Sequence, residues 1–284
     1  MKILVTGAGG MVGAEVAAIA KAAGEQVLAR THRQLDATND AQLGAFFMVA
    51  KPDAVINCAA MTNVDACQTD PRASHAANAL APELLARHCR ESGAILVTVS
   101  TDYVFDGEKP DWFYTQKDAT NPLSVYAKDK LQGEQLAMAA HNRVVVARSG
   151  WIFGRNGRNF VAQVVERGRR GEKLKAFNDS FGTPTYAPDL ARRLLELARR
   201  DLPGIYHVCN GGEGTSYFGF AKAAFETAHL PIENLEPVSV ETVKRPAPRP
   251  RNTRLRCLAL EATGLKPLRH WTEALPDFVE GQPV

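Results

Sequence analysis

The sequence predicts an α/β fold, a Rossmann-like doubly wound parallel sheet followed by a smaller C-terminal α/β region. Three observations carry this. Short apolar runs alternate with stretches whose apolar residues recur every three or four positions. The first apolar run breaks into glycines at 7, 10 and 13, immediately before a helical pattern. After Gly150 the strands shorten, Gly and Arg become frequent, and prolines at 231, 237, 246, 248, 250 and 267 interrupt the pattern.

Each element follows from its residues. KILVT (2–6) reads as a strand and MVGAEVAAIAKAA (11–23) as a helix that Gly24 ends. EQVLA (25–29) is a second strand, and Asn39 can cap a helix over 40–50. DAVINCAA (53–60) is a buried strand, Asp70-Pro71 opens a long helix to about Glu91, and GAILVTVS (93–100) is the next strand. A further helix leads to NRVVVARSG (142–150), and GIYHVCN (204–210) is a late strand. Such alternation builds a parallel sheet with right-handed crossovers. We expect a dinucleotide-binding domain over 1–150 and a mainly substrate-binding region over 151–284, with the chain crossing back to the first domain.

Composition narrows the class. The chain has 284 residues, 45% hydrophobic and 23% charged, which suits a folded soluble protein and excludes a disordered or fibrous one. MKILVTGAGG is no secretory signal, and no run reaches membrane length. Cys58, Cys67, Cys89, Cys209 and Cys257 are odd in number, scattered and without CxxC spacing, which argues against a disulfide framework and a zinc site and for a reducing cytoplasmic home. The seven histidines are equally scattered, so no metal site is expected. A net charge of +3 says little about partners, except that Lys244, Arg245, Arg249, Arg251, Arg254 and Arg256 crowd into thirteen residues with three prolines. That stretch has no aromatic for base stacking, which disfavours nucleic acid.

The glycine turn carries the first chemistry. Gly7, Gly10 and Gly13 give GxxGxxG between a strand and a helix, where glycine allows a tight turn, close approach of backbone N–H to a pyrophosphate, and helix packing. An NAD site usually places an acid after the second strand for the ribose 2′-OH, whereas a 2′-phosphate calls for cations. Here the strand runs into Arg30 and Arg33, and Asp36 comes late. NADPH is therefore the expected cofactor, with NADH as the second candidate, and Asp36 is expected either near the adenine or in a structural role.

The second chemistry lies in VSTDYVFDG (99–107), an apolar strand that ends in Ser100, Thr101, Asp102 and Tyr103. In doubly wound sheets ligands bind beyond the carboxyl ends of the strands, so these polar groups would face the cleft. Tyr126 and Lys130 then form a YxxxK pair, on one face of a helix. A phenol near pKa 10 is a weak acid-base at neutral pH, and a neighbouring ammonium is expected to lower it. Thr101 and Tyr126 would hold a ketone carbonyl, Tyr126 would supply the proton, and Lys130 would bind the nicotinamide ribose.

These residues resemble the extended short-chain dehydrogenase/reductases, and within them the dTDP-4-dehydrorhamnose reductase family. TGAGGMVG, INCAAMTNVDACQTDP, STDYVFDG, NPLSVYAKDKLQGE, RSGWIFGRNGRNFV, FGTPTYAPDLA, GIYHVCNGG and RPAPRPRNTRL fall in that family's order, almost end to end. The resemblance implies reduction of the 4-keto group of dTDP-4-dehydro-L-rhamnose to dTDP-L-rhamnose, a polysaccharide precursor. It implies Gly10, Met11 and Val12 on the pyrophosphate and Ala60, Met61 and Thr62 along the cofactor. Thr101, Asp102, Tyr126 and Trp151 would touch the sugar, with Thr101, Tyr126 and Lys130 as the catalytic set. The Pro/Arg stretch would face the nucleotide diphosphate.

Departures from the family pattern concern the sugar. YAKDK lacks the usual small residue and hydroxyl, FNDSFG has Ser180 where glutamine is usual, and RLRCLAL lacks the usual acid and lysine. A reductase of a related nucleotide-linked keto-sugar is thus an alternative. A dehydratase would need a Glu after Asp102, where Tyr103 stands, and an epimerase would keep NAD bound. A non-catalytic regulatory subunit, like that of methionine adenosyltransferase, shares the fold and many motifs. Retention of Thr101, Tyr126, Lys130 and Trp151 favours the enzyme. A homodimer is the commonest assembly for such a chain, and the sequence does not fix it.

Overall fold

Six parallel strands form the main sheet: β1 (Lys2–Thr6), β2 (Gln26–Arg30), β3 (Ala54–Asn57), β4 (Ile95–Thr101), β5 (Val144–Ser149) and β6 (Gly204–His207), in the order β2-β1-β3-β4-β5-β6. This is a computed structural model, and it describes residues 1–109 and 113–281. Thr6 at the end of β1 lies level with Arg30 on one side and Asn57 on the other. The chain leaves β1 in one direction for β2 and in the other for β3. A crevice therefore opens at the carboxyl ends of β1 and β3, where ligands bind in such sheets.

Alternate strand residues feed two cores, as a sheet covered on both faces requires. Ile3, Val5, Ile56, Val97 and Val145 point to one face, which α1 (Met11–Ala22) covers through Val16 and Ala20. Leu4, Val55, Leu96 and Val146 point to the other. There α2 (Asp40–Ala50), α3 (Ala81–Ser92) and α4 (Val125–Ala140) bring Phe47, Leu85 and Ala137. The sequence-based boundaries agree closely, and Asn39 caps α2 by accepting from the Gln42 N–H at 3.0 Å. The third strand ends at Asn57, short of the expected Ala60. Beyond it the chain runs under the first glycine turn, and a Cβ on Gly7 would come within 2.6 Å of the Ala59 nitrogen.

The expected long helix from Asp70 is present but not uniform. It runs as Pro71–His75, a π-helical turn at Ala76–Leu80, and α3. Such turns insert one extra residue and often mark functional sites.

Beyond residue 150 the chain does two things. A smaller region packs Phe153, Val161, Phe220, Leu275 and Phe278 around short strand pairs, with α5 (Phe160–Arg169), α7 (Tyr217–Thr227) and α8 (Trp271–Glu280) as its helices. Between these, the chain returns to the main sheet. It supplies β6 beside β5, and α6 (Ala187–Arg199), whose Leu190, Leu194 and Leu195 share the core with Ile3 and Val97. Among the described residues no helix is long and apolar enough to cross a membrane.

Candidate active site

The turn after β1 is built by glycine. Gly7 adopts φ +64°, and Gly10 donates its N–H to the Gly7 carbonyl at 2.9 Å. A Cβ on Gly13 would lie 2.3 Å from that same carbonyl, so only glycine lets α1 start this close to the turn. Gly10 caps α1 without any side chain, leaving the helix N-terminus open toward a cleft of about 620 Å³ bordered by Gly10, Met11, Val12 and Gly13. A bare, glycine-lined helix N-terminus fits a pyrophosphate.

A second cavity of about 490 Å³ continues beneath the turn, bordered by Thr31, His32, Leu35, Asp36, Ala60 and Met61 among others. Asp36 accepts from the Thr38 N–H at 2.9 Å and the Thr38 hydroxyl at 2.7 Å, so its carboxylate is locked into its own loop. Arg30 turns aside: its guanidinium donates to the Ala29 carbonyl at 2.9 Å and lies 5.3 Å from the centre of the Phe46 ring. Arg33 is exposed, and neither arginine is among the described walls of this cavity.

Ala60 and Thr62 border the main cleft, and Met61 is held by a residue that motif reading does not reveal. Asn78, buried in the π turn, accepts from the Met61 N–H at 3.1 Å and donates to the Met61 carbonyl at 3.0 Å. A Cβ on Gly133 of α4 would lie 2.2 Å from the Asn78 carbonyl. The π turn and the helix of the YxxxK pair are thus packed backbone to backbone.

The reactive side chains meet where β4 ends. Thr101 donates its hydroxyl to Asp102 Oδ1 at 3.1 Å, and its Oγ1 accepts from the Tyr103 N–H at 3.2 Å. Ser124 caps α4 and so sets the position of Tyr126, whose ring meets Tyr103 edge-on at 6.2 Å. Thr101, Asp102, Tyr126, Lys130 and Trp151 all border the main cleft together with the glycine turn.

The electrostatics differ from the sequence-based expectation at one point. Burial raises the Tyr126 phenol, opposed by a hydrogen bond with Thr101, where a lowering by Lys130 was expected. The reason is geometric. The Lys130 ammonium donates to the Val99 carbonyl at 2.7 Å and is directed along β4. Burial itself pulls Lys130 down to about 8, with Glu134 opposing. Glu134 in turn is fixed by the Ser100 hydroxyl and by Arg148, whose Nε and Nη2 donate at 3.0 and 2.7 Å in a buried pair. Asp102 is pushed up to about 6 by burial, with Thr253 and Thr101 opposing. Gly150 lies directly over it, where a Cβ would fall 2.3 Å from the carboxyl carbon.

Trp151 follows with φ +49°, an unusual backbone for a tryptophan, and its indole stacks on Tyr217 with ring centres 3.8 Å apart. Behind Tyr217 and Tyr103 lies a third cavity of about 240 Å³, whose other walls include Phe177, Arg245, Pro248 and Arg249. The Pro/Arg stretch therefore borders a pocket, although several of its cations are already engaged. Arg249 pairs with Asp65 at 2.9 Å, Arg251 with Glu241 at 2.6 Å, and Arg245 lies 5.5 Å from the centre of the Phe177 ring. Tyr217 is the wall that sequence reasoning missed, because no motif marks it. Among the described residues no group of His, Cys, Asp and Glu is arranged to hold a metal ion.

Residues 1–282 match the family model described as RmlD substrate binding domain. The chain belongs to this family. It is 40% identical over 280 residues to a dTDP-4-dehydrorhamnose reductase of Mycolicibacterium smegmatis, covering 98% of this chain and 85% of that one. Among solved structures, a dTDP-4-dehydrorhamnose reductase from Clostridium acetobutylicum superposes with TM-score 0.94 at 36% identity, covering 99% of each chain. The dTDP-4-dehydrorhamnose reductase of Bacillus anthracis, solved in complex with NADP, gives TM-score 0.94 at 31% identity, covering 99% of this chain and 100% of that one. These likenesses span both the glycine turn and the region beyond residue 150.

Proposed function

We propose that this chain is a nicotinamide-dependent reductase that converts the 4-keto group of dTDP-4-dehydro-L-rhamnose to the alcohol of dTDP-L-rhamnose. The observation that carries this reading is the meeting of Tyr126, Thr101 and Lys130 in one cleft with the glycine turn on one side and Trp151 on the other. The reduced nicotinamide, when bound, supplies the hydride to the keto carbon.

The residues do the rest. The open N-terminus of α1, with Gly10, Met11 and Val12, binds the pyrophosphate, and the segment Ala60–Thr62, held by Asn78, lies along the cofactor. Lys130, anchored on Val99, orients the ribose. Thr101 and Tyr126 hold the carbonyl oxygen, and Tyr126 gives it the proton. Its raised pKa keeps the phenol protonated at neutral pH, the form that a reduction consumes. Asp102 binds a sugar hydroxyl, Trp151 and Tyr217 enclose the ring, and the cavity beside Pro248 receives the nucleotide. Residues 1–150 mainly serve the cofactor and residues 151–284 mainly the substrate.

NADPH is the preferred cofactor, with Arg30 and Arg33 near its 2′-phosphate and Asp36 near its adenine, and NADH is the second. For Arg30 this requires the guanidinium to leave Phe46. We further propose a cytoplasmic enzyme working as a homodimer.

Absorbance of the reduced nicotinamide tests the reading, with dTDP-4-dehydro-L-rhamnose as substrate. Wild-type protein should turn over, and Tyr126→Phe should lose about 10²–10⁴ in kcat while binding NADPH normally. Nucleotide binding without turnover under either cofactor would refute the reaction and favour a regulatory role or another keto-sugar.

A further inference from the structure

Asp65 stands three residues beyond the cofactor-side Ala60–Thr62 segment, in the first turn of the short helix Val64–Thr69 that Asn63 caps. Its carboxylate reaches across to the Pro/Arg stretch. Oδ1 accepts from Arg249 Nη1 at 2.9 Å and from the Ala247 N–H at 3.1 Å, and Oδ2 accepts from Arg249 Nη2 at 2.9 Å. Arg249 Nη1 also donates to the Ala247 carbonyl at 3.0 Å, folding the loop onto itself. Arg249 holds the Asp65 carboxyl below the ordinary carboxylate range.

The position of this clasp matters. Thr62 and Val64, on either side of Asn63, border the main cleft, whereas Ala247, Pro248 and Arg249 wall the third cavity. Tyr103 and Tyr217 border both. A forked, two-pronged arginine contact fixes orientation as well as distance, which a lysine cannot do. The guanidinium that the sequence offers as a phosphate ligand is thus spent on Asp65, and what it delivers is a fixed wall.

We infer that Asp65 is a positioning residue for substrate. Through Arg249 and Ala247 it holds the Ala247–Arg249 wall in the shape that the nucleotide end of the substrate meets. This rests on the nucleotide-sugar reading of the third cavity. Without the clasp, that wall must be ordered at the moment of binding, which weakens affinity for the nucleotide alone.

Calorimetric titration with dTDP and, separately, with NADPH tests this on wild-type protein, Asp65→Asn and Asp65→Glu. The expected result is roughly tenfold weaker dTDP binding in Asp65→Asn, the scale of ordering one residue, with NADPH affinity within about twofold of wild type. Asp65→Glu, which keeps the charge, should recover part of the loss. Unchanged dTDP affinity in Asp65→Asn overturns the inference, and so does parallel weakening of both ligands, which would mean that Asp65 merely holds its helix. Wild-type protein that ignores dTDP overturns the nucleotide reading itself. If Asp65→Asn does not fold, Arg249→Lys carries the same two outcomes, because it keeps the cation and loses the fork.

Discussion

Asp102 shows what a single residue can reveal and conceal. Its place in STDYVFDG marks it as a cleft residue, but not its burial beneath Gly150, which pushes its carboxyl up to about 6. If the carboxylate accepts a sugar hydroxyl, kcat/KM should fall as pH drops through about 6, and Asp102→Asn should lack that limb; a wild-type profile flat from pH 5 to 8 would exclude the role. The stability sign is fixed by the same shift. The folded pKa lies above the unfolded 3.8, so the favourable contribution is complete below 3.8 and lost as pH rises through about 6. Legibility at this scale follows chain distance. Tyr126 and Lys130 were readable because i,i+4 on a helix guarantees one face, whereas Asn78 depends on a π turn that no spacing announces. The sequence also suggested that Lys130 acts on Tyr126 through charge, and the structure turns its ammonium to Val99 instead.

Elements, and the contacts between them, show a different limit. Strands and helices were legible from period alone, while close approach between helices was not. Gly133 looks like a helix-weakening residue in α4, yet its missing side chain lets α4 lie on the Asn78 carbonyl. Gly133→Ala should therefore destabilise the fold by about 1–3 kcal/mol, as overpacking does, although alanine ordinarily favours a helix. It should also weaken NADPH, because Asn78 holds Met61. A higher melting temperature with unchanged NADPH affinity would show that the two helices can part freely. The buried Glu134–Arg148 pair is a comparable case: no motif marks either residue, and the register of β5 against β4 brings Arg148 level with Ser100.

For the whole molecule, residue 150 does not divide the cores. The chain returns to the main sheet with β6 and α6, and the leucines of α6, which the sequence reading did not place, fill the same core as Ile3, Val5 and Val97. A fragment of residues 1–150 would expose that face and leave β5 as a bare edge. It should fail to unfold cooperatively on heating and should associate in solution, which differential scanning calorimetry and light scattering would register. A monomeric fragment with a sharp transition would show that the first half is self-sufficient.

The stack of Trp151 on Tyr217 has one more implication. The chain has 3 tryptophans, and this one borders the main cleft. An indole held against a phenol at 3.8 Å emits according to what surrounds it, so a sugar sliding beside it changes the light the protein gives off. If the sugar sits there as proposed, the pocket carries its own optical gauge, and its occupancy can be followed without any label or any turnover.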